Sequence, residues 1–518
     1  MLKRKSITQT CCERKSDTDL NRSSKRRRIG FKKNILELSD ELLVRCLSFL
    51  NVHDLLRCER VCSQLSRLAQ DDGLWRQKFQ QHFIQPRARR VRHDRSRNLD
   101  RTDTPLLNAK DAAVSYPRRI MENSWRQRYK TKSNWTRGQA KRSEIMVAEN
   151  THSPVLARTC DGLLYTAGLQ HGLRVWKRGT VMACYEINEE PTALAVHATS
   201  MHTEIIVGST NGSIHLFEYD GSIVAKPLVG HKNTSGVASL AFSSPFLMVL
   251  YNSSAIEVLR IEEATDGSSS LKVLTALQSE AKLTPAALSL RKTSKGLQAG
   301  IAYAFNRFNM GWCLGIQEIK LDLEDKPGSN RSVSNVGTPI RDHFRRMPQS
   351  SITTRSAYTI SPHEHPHFTR PPNSLSYCGC YVLAGLPDNT LMVYNVISTE
   401  QRLEISMGRR LWGHTSAVSA AEVNSTGKAL SISARSDEVR YWELEDVLSS
   451  RVPKRTSTSI QTLTKAIEDR GDGLGLALAE MNDTSALTMR RWVSFDDEQV
   501  IVVGARDQAQ FLSCYDFS

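Results

Sequence analysis

The rhythm of apolar and polar positions changes twice along this chain. Between Asn34 and Phe83, Leu42, Leu43, Cys46, Leu47 and Leu50 recur at steps of one, three and four residues, which gather side chains on one face of an α-helix. Ser39 or Asp40 is placed to cap that helix, and Asn51 opens a second one with Asp54 at capping-box spacing and Leu55 and Leu56 as its buried residues. Val61, Cys62, Leu65, Leu68 and Ala69 repeat the pattern, and Leu74, Trp75 and Phe79 form a fourth short piece. The spacing predicts several short helices within about fifty residues, a size that buries only about 60% of the surface its unfolded chain exposes. Such a module needs a partner.

Downstream, helical spacing gives way to short alternating runs. An apolar run, a polar turn and a second alternating run recur as LLYTAGLQHGLRVW, EIIVGSTNGSIHLF, LMVLYNSSAIEVL, GIAYAFNRFNMGWCLGIQ, CYVLAGLPDNTLMVY, KALSISARSDEVRYW and QVIVVGARDQAQFLSCY. The first three units repeat at roughly 40 residues, the period of propeller blades. Later spacings are stretched by segments at 322–350, 361–374 and 449–462 that read as surface loops. Each unit is a small sheet with two faces to cover, and radial stacking covers both while shielding edges. The expectation is a seven-bladed all-β propeller, with six and eight as neighbouring counts. The last unit supplies three strands, so Ser143-Glu144-Ile145-Met146-Val147, just after Asn134-Trp135-Thr136-Arg137-Gly138, is expected to be its fourth and to close the ring. The fold class is a multidomain α+β chain: a basic tail at 1–33, a helical module at 34–83, a basic linker with a helical segment at 84–142, and the propeller at 143–518, with insertions near 322–374 and 449–480.

Charge separates the same parts. The net charge is +16, from 70 Lys and Arg against 54 Asp and Glu. Residues 1–142 are strongly basic, whereas the remainder is slightly acidic. Lys25, Arg26, Arg27 and Arg28 form a block in a Ser/Thr-rich stretch too poor in large apolar residues to fold alone. Clustered accessible charge of this kind suits a nuclear-import receptor, so a nuclear as well as cytoplasmic location is expected, the nucleus favoured. No aromatic residues interleave with the charge, so nucleic acid is not the expected partner. Eleven cysteines show no zinc-type spacing and are expected as reduced thiols. With no apolar run of membrane-spanning length and no signal-like start, the protein is expected to be soluble, not exported and without a membrane partner.

The stretch ILELSDELLVRCLSFLNVHDLLRCERVCSQLSRLAQDDGLWRQKFQQHF resembles the F-box family, in its Leu-rich first helix, its DLL and VC steps and its LW closing turn. Ser39 stands where that family usually has proline and Leu65 where it often has tryptophan. The resemblance implies docking onto the Skp-type adaptor of a cullin–RING ubiquitin ligase, with Leu38, Leu42, Leu43, Leu47, Leu50, Leu55, Val61 and Cys62 including the adaptor-facing residues. So small a module uses both faces of its helices, so some of these must fill its own core. Residues 413–442 resemble a WD repeat, with Gly413-His414 and Trp442 in place. Ser436 replaces the turn aspartate and Asp437 comes one place late, which leaves open the polar network that braces such a blade. Together the two resemblances point to the F-box/WD-repeat substrate receptors.

Catalytic motifs are missing: there is no GxSxG, GxxxxGK[ST] or HExxH. His363, His365 and His367 alternate in a Pro-bounded loop and read as solvated, so no metal and no cofactor are expected. The chain reads as a non-catalytic binder. Arg174 and Arg440 stand two residues before Trp176 and Trp442, and Arg435 and Arg506 lie in the matching turns of their blades. Guanidinium groups converging on one rim would suit a phosphorylated or acidic client peptide. The alternative is that they pair with neighbouring carboxylates. The functional expectation is a substrate-recognition subunit of an SCF-type ubiquitin ligase. The alternative is a nuclear scaffold that binds nucleic acid or chromatin through its basic arm.

Overall fold

The structure is a computed structural model. It describes residues 35–85, 124–149, 153–199, 201–229, 233–263, 268–279, 283, 285–293, 296–307, 311–321, 344–346, 352–359, 368–398, 403–434, 438–449, 457–462, 489–506 and 509–518. They fall into two compact units, divided between Leu74 and Trp75.

The first unit is helical: α1 (Asp40–Phe49), α2 (Val52–Cys58), α3 (Ser63–Ala69) and the start of α4 (Asp72–Phe79). Asn51 caps α2 as its spacing implies, accepting the Asp54 N–H at 2.8 Å while its amide donates to the Asp54 carboxylate at 2.7 Å. Ser39 is the N-cap of α1, yet its side chain makes no capping bond. Asp40 does not cap either. Its carboxylate takes Arg67 Nη2 at 2.5 Å and Gln64 Nε2 at 3.3 Å from α3, and these bonds hold its pKa below the usual carboxylate value. The single α1 face expected from spacing divides in two. Leu43 and Leu47 are buried, whereas Leu42, Cys46 and Phe49, one step round the helix, are exposed.

The second unit is built around seven sheets. The first blade takes strands Leu156–Cys160, Leu163–Gly168, Gly172–Lys177 and Thr180–Tyr185, paired antiparallel in chain order from the inner strand outward. The second to sixth blades repeat that meander, starting at Pro191, Val237, Ala286, Ser374 and Val418. Each repeated motif of the sequence supplies the two middle strands of one blade. These central strands are buried on both faces; Phe246–Tyr251, for example, is buried throughout, as a strand sandwiched between neighbouring sheets must be.

Within 322–350, which reads as a loop, Phe344–Arg346 pairs with the outer strand of the third blade, and two further such stretches contribute to sheets. The outer strand of the sixth blade is Thr458–Ser459, followed by the buried Ile460. Phe368 is buried and exchanges both backbone hydrogen bonds with Trp312 of the fourth blade, at 2.8 and 3.2 Å. Their polar composition hides one apolar anchor each.

Closure follows the expected route and runs longer. The strand Gln139–Ala148 pairs antiparallel with Ala509–Asp516, from Lys141 opposite Asp516 to Ala148 opposite Gln510, and completes the seventh blade. Helix α5 (Trp125–Arg137) leads into it. Trp135 stacks on Phe517 with ring centroids 3.9 Å apart and donates its indole N–H to the Asp497 carbonyl at 2.8 Å. Asn134 Nδ2 donates to the Phe517 carbonyl at 2.9 Å, and Lys132 pairs with Glu443 at 2.8 Å. Gly138 ends α5 in the left-handed region at φ 69°, and a Cβ there would lie 2.2 Å from the Ser459 carbonyl oxygen. The first turns of α5 add aromatic packing, with Tyr129 against Trp75 and Phe83 at 5.4 and 5.2 Å and Trp125 against Phe79 at 5.6 Å. Across the axis, Arg158 of the first blade reaches Glu422 of the sixth at 3.1 Å.

The brace of the sixth blade is present in altered form. Trp442 Nε1 donates to Ser431 Oγ at 2.8 Å, and that hydroxyl also bonds His414 Nε2 at 2.6 Å. Glu438 brings a carboxylate to 3.5 Å from His414 Nδ1, and Ser436 and Asp437 lie outside the described residues. The first blade keeps half of this device, Trp176 Nε1 to Thr166 Oγ1 at 2.8 Å.

Two measurements test these supports. Trp135→Ala removes a stacked, hydrogen-bonded indole from the closing seam and is expected to cost about 3–5 kcal/mol, read as a lower urea midpoint. Burial pushes His414 down to about 4, the Arg440 charge working the same way and Glu438 partly opposing. Between about 4 and the ordinary value near 6.5 the unfolded chain therefore holds this proton more readily than the folded one. The His414 contribution to stability is present above that window and is lost as pH falls through it. Urea midpoints from pH 7 to 4 are expected to fall more steeply for the wild type than for His414→Gln.

Candidate functional site

Burial sorts the eight residues singled out on the helical module. Leu43, Leu47 and Leu55 are buried and form the module's own core with Leu68 and Ala69. Leu50 is half-buried, and Cys62 is the N-cap of α3, its Sγ 3.5 Å from the Leu65 N–H. Leu38, Leu42 and Val61 face solvent, Leu42 at 54% and Val61 at 70% exposure. Three further residues join the exposed set: Leu56, which the spacing places in the core beside Leu55 but which is exposed, and Ile35 and Phe49, the last 77% exposed with the Arg45 guanidinium 5.3 Å from its ring centroid. The signal for Phe49 was available. It lies seven residues after Leu42, two helical turns along the same stripe, while Leu43, Leu47 and Leu50 make the adjacent one. A fifty-residue unit that leaves six large apolar side chains in water carries a surface suited to protein contact.

On the propeller, the four arginines do not form one described cluster. Arg440 pairs with Glu438 and donates Nη1 to Ser457 Oγ at 2.8 Å, all within the sixth blade. Arg174 lies 4.8 Å from the Trp176 ring centroid and donates Nη2 to the Val147 carbonyl at 2.7 Å, tying the first blade to the closing strand. Arg506 ends a strand of the seventh blade, its side chain outside the described set, and Arg435 lies outside the described residues altogether. So do Lys25, Arg26, Arg27 and Arg28, and His363, His365 and His367.

Chemistry of other kinds finds little support in the described residues. Burial pushes the Cys160 and Cys378 thiols up to about 12 and Cys514 to about 11, the wrong direction for a nucleophile at neutral pH. His202, Glu204 and Glu218 bring ligand-type atoms within 4.8 Å of one another. Lys226 already occupies Glu218 there, so the group reads as an ion-pair network. No described helix is long and apolar enough to cross a membrane.

Comparison with known proteins bears on both units. Residues 37–81 match the family described as F-box-like, and residues 140–518 match the family described as F-box protein pof12 beta-propeller. The F-box protein pof12 of Schizosaccharomyces pombe (strain 972 / ATCC 24843) is 31% identical over 77 residues, which is 15% of this chain and 18% of that protein's own length. Among solved structures, the WD40 beta propeller domain of Doa1 is 13% identical with a TM-score of 0.39, covering 72% of this chain and 95% of its own. The computationally designed Ika8 protein is 15% identical with a TM-score of 0.37, covering 71% of this chain and 84% of its own. The propeller match takes in every strand of the seven sheets but the first residue of the closing one, and the chain belongs to the F-box protein pof12 beta-propeller family, with an F-box-like module ahead of the propeller.

Proposed function

We propose that this protein is the substrate-recognition subunit of an SCF-type ubiquitin ligase. Its F-box-like module docks onto a Skp-type adaptor, and through it a cullin–RING core, while the propeller captures a client protein for ubiquitination. The observation that carries this reading is the exposed apolar set Leu38, Leu42, Phe49 and Val61 on a module that matches the F-box-like family. A helical unit of this size gains stability when such a surface is covered, because covering apolar area is worth roughly 25 cal/mol per Å². The propeller supplies a rigid disc whose rim loops vary in length without disturbing the stacked sheets, the usual arrangement for a binding scaffold.

The mechanism is proximity. A client lysine held near a charged conjugating enzyme meets it at a high effective concentration, and an intermolecular reaction becomes close to intramolecular. The chain itself needs no acid, base or nucleophile for this.

Leu42→Asp combined with Val61→Asp places two charges on the exposed set and leaves Leu43, Leu47 and Leu55 untouched. Co-purification with the adaptor is expected to fall at least about tenfold, equivalent to ~1.4 kcal/mol, with an unchanged circular dichroism spectrum. Equal recovery from wild type and variant would falsify the receptor reading. The basic tail is proposed as the import signal, and a chain lacking residues 1–33 is expected to lose nuclear accumulation in fluorescence imaging while recovering adaptor normally.

A further inference from the structure

The outer strand of the first blade, Thr180–Tyr185, carries no charged side chain. Val181 is 47% and Met182 50% exposed, and Cys184 and Tyr185 also face solvent. An uncharged, apolar edge strand with its outer side open invites pairing, and folded proteins ordinarily blunt such edges with charge, covering segments or brevity.

The other outer strands of the disc are blunted in these ways. The second blade's Ile223–Lys226 ends on a lysine paired with Glu218, the fourth's Ile352–Tyr358 carries Arg355, and the fifth's Leu403–Ile405 carries Glu404. The third's Ser269–Ser279 is covered by Leu228–Val229 and Phe344–Arg346. The sixth's Thr458–Ser459 is two residues long, and the closing strand of the seventh carries Lys141, Arg142 and Glu144. Among the described residues, Thr180–Tyr185 has none of these protections. Its one irregularity is a bulge: Val181 lies opposite Trp176 and Ala183 opposite Val175, with Met182 as the extra residue between them. The bulge leaves Val181 and Met182 both in solvent and hides neither.

The strand is held from within. Arg178 and Gly179 form the two-residue turn that enters it, with φ 50° and 85°, and Thr180 Oγ1 donates to the Lys177 carbonyl at 2.7 Å. At the far end the Tyr185 ring packs edge-on against Phe217 of the second blade, centroids 5.1 Å apart. The edge is therefore set before any partner arrives, and association does not have to order it.

Charge flanks the apolar strand unevenly. Lys177 and Arg178 precede it and Glu186 follows it, all three exposed. Among the described residues neither cation meets a carboxylate, and Glu186 meets no cation. Two copies laid edge to edge about a two-fold axis run antiparallel, so the cationic end of each strand lies against the acidic end of the other. No like charges face each other along the strand, which is what would oppose such a pairing.

We propose that two copies of this chain pair through this edge, with Val181, Met182 and Tyr185 of each covering those of the other and Lys177 and Arg178 lying against Glu186 of the second copy. The pairing rests on the edge of the disc and not on the receptor reading.

The test is sedimentation velocity on the full-length chain over a range of concentrations. The wild type is expected to pass from monomer to dimer as concentration rises. Glu186→Lys makes both flanks cationic, and Lys177→Glu combined with Arg178→Glu makes both acidic. Each variant alone is expected to self-associate at least about tenfold more weakly. The side chains changed are exposed, so the circular dichroism spectrum is expected to match the wild type. An equimolar mixture of the two variants restores opposite charges at both ends and is expected to form a mixed dimer. A wild type that stays monomeric, as it does if another segment of chain or a different protein covers the edge, overturns the proposal. So does self-association that both variants retain, or a mixture that stays monomeric.

Discussion

The propeller depends on one pairing, that of Gln139–Ala148 with Ala509–Asp516. A ring of sheets has no free edge only if its two chain ends share a blade, and any gap there exposes unpaired N–H and C=O groups on a long strand. The hydrogen bonds fix register, but a strand pair formed across some 370 residues of sequence must also offset the entropy of bringing its ends together. Trp135 does much of that work. Its ring is stacked on Phe517 and surrounded by Tyr441 and Phe495, its indole N–H is satisfied, and the glycine that follows lets the chain turn directly into the closing strand. The seam is therefore both hydrogen-bonded and apolar, and the helix leading into it is part of the fold of the disc.

Given closure, the remaining blades are governed by packing between sheets. Central strands such as Tyr381–Gly385, buried at every position, carry no alternation because both faces meet a neighbour. Some polar groups enter this core in hydrogen-bonded sets. Glu318, fully buried, accepts from Arg355 Nη2 at 2.6 Å and Ser398 Oγ at 2.7 Å and links the fourth blade to the fifth. The His414, Ser431 and Trp442 chain does the same within the sixth.

What could be read from the residues follows from which interactions are local. The seven repeats and the Asn51 cap are legible because each rests on spacing within one turn or one hairpin, and the closing strand because the last unit supplies only three strands of its own. The sixth-blade brace was only half legible. A carboxylate two places beyond the usual turn position, that of Glu438, comes to 3.5 Å from His414, which linear spacing does not report. Thr458–Ser459 and Phe368 read as loop for a related reason. A two-residue strand or a single buried ring inside a polar, Pro-rich stretch leaves no periodic trace, and its role comes from the blade it is laid against. On the helical module, spacing showed which residues were apolar but merged two stripes set one residue apart. Only the packing of α3 on α1 decides that Leu43 and Leu47 turn inward while Leu42 and Phe49 do not.

The same reasoning separates the arginines, which composition treats alike. Arg440 is answered by a glutamate two residues away, just before its own strand, so its charge is spent on the blade that carries it. Arg158 and Arg355 are answered across the axis and within the fourth blade. Each of these pairs cancels a desolvation cost inside the fold, and a charge cancelled in that way has little left to offer a ligand. Arg174 is anchored by a carbonyl instead. A carbonyl orients a guanidinium without neutralising it.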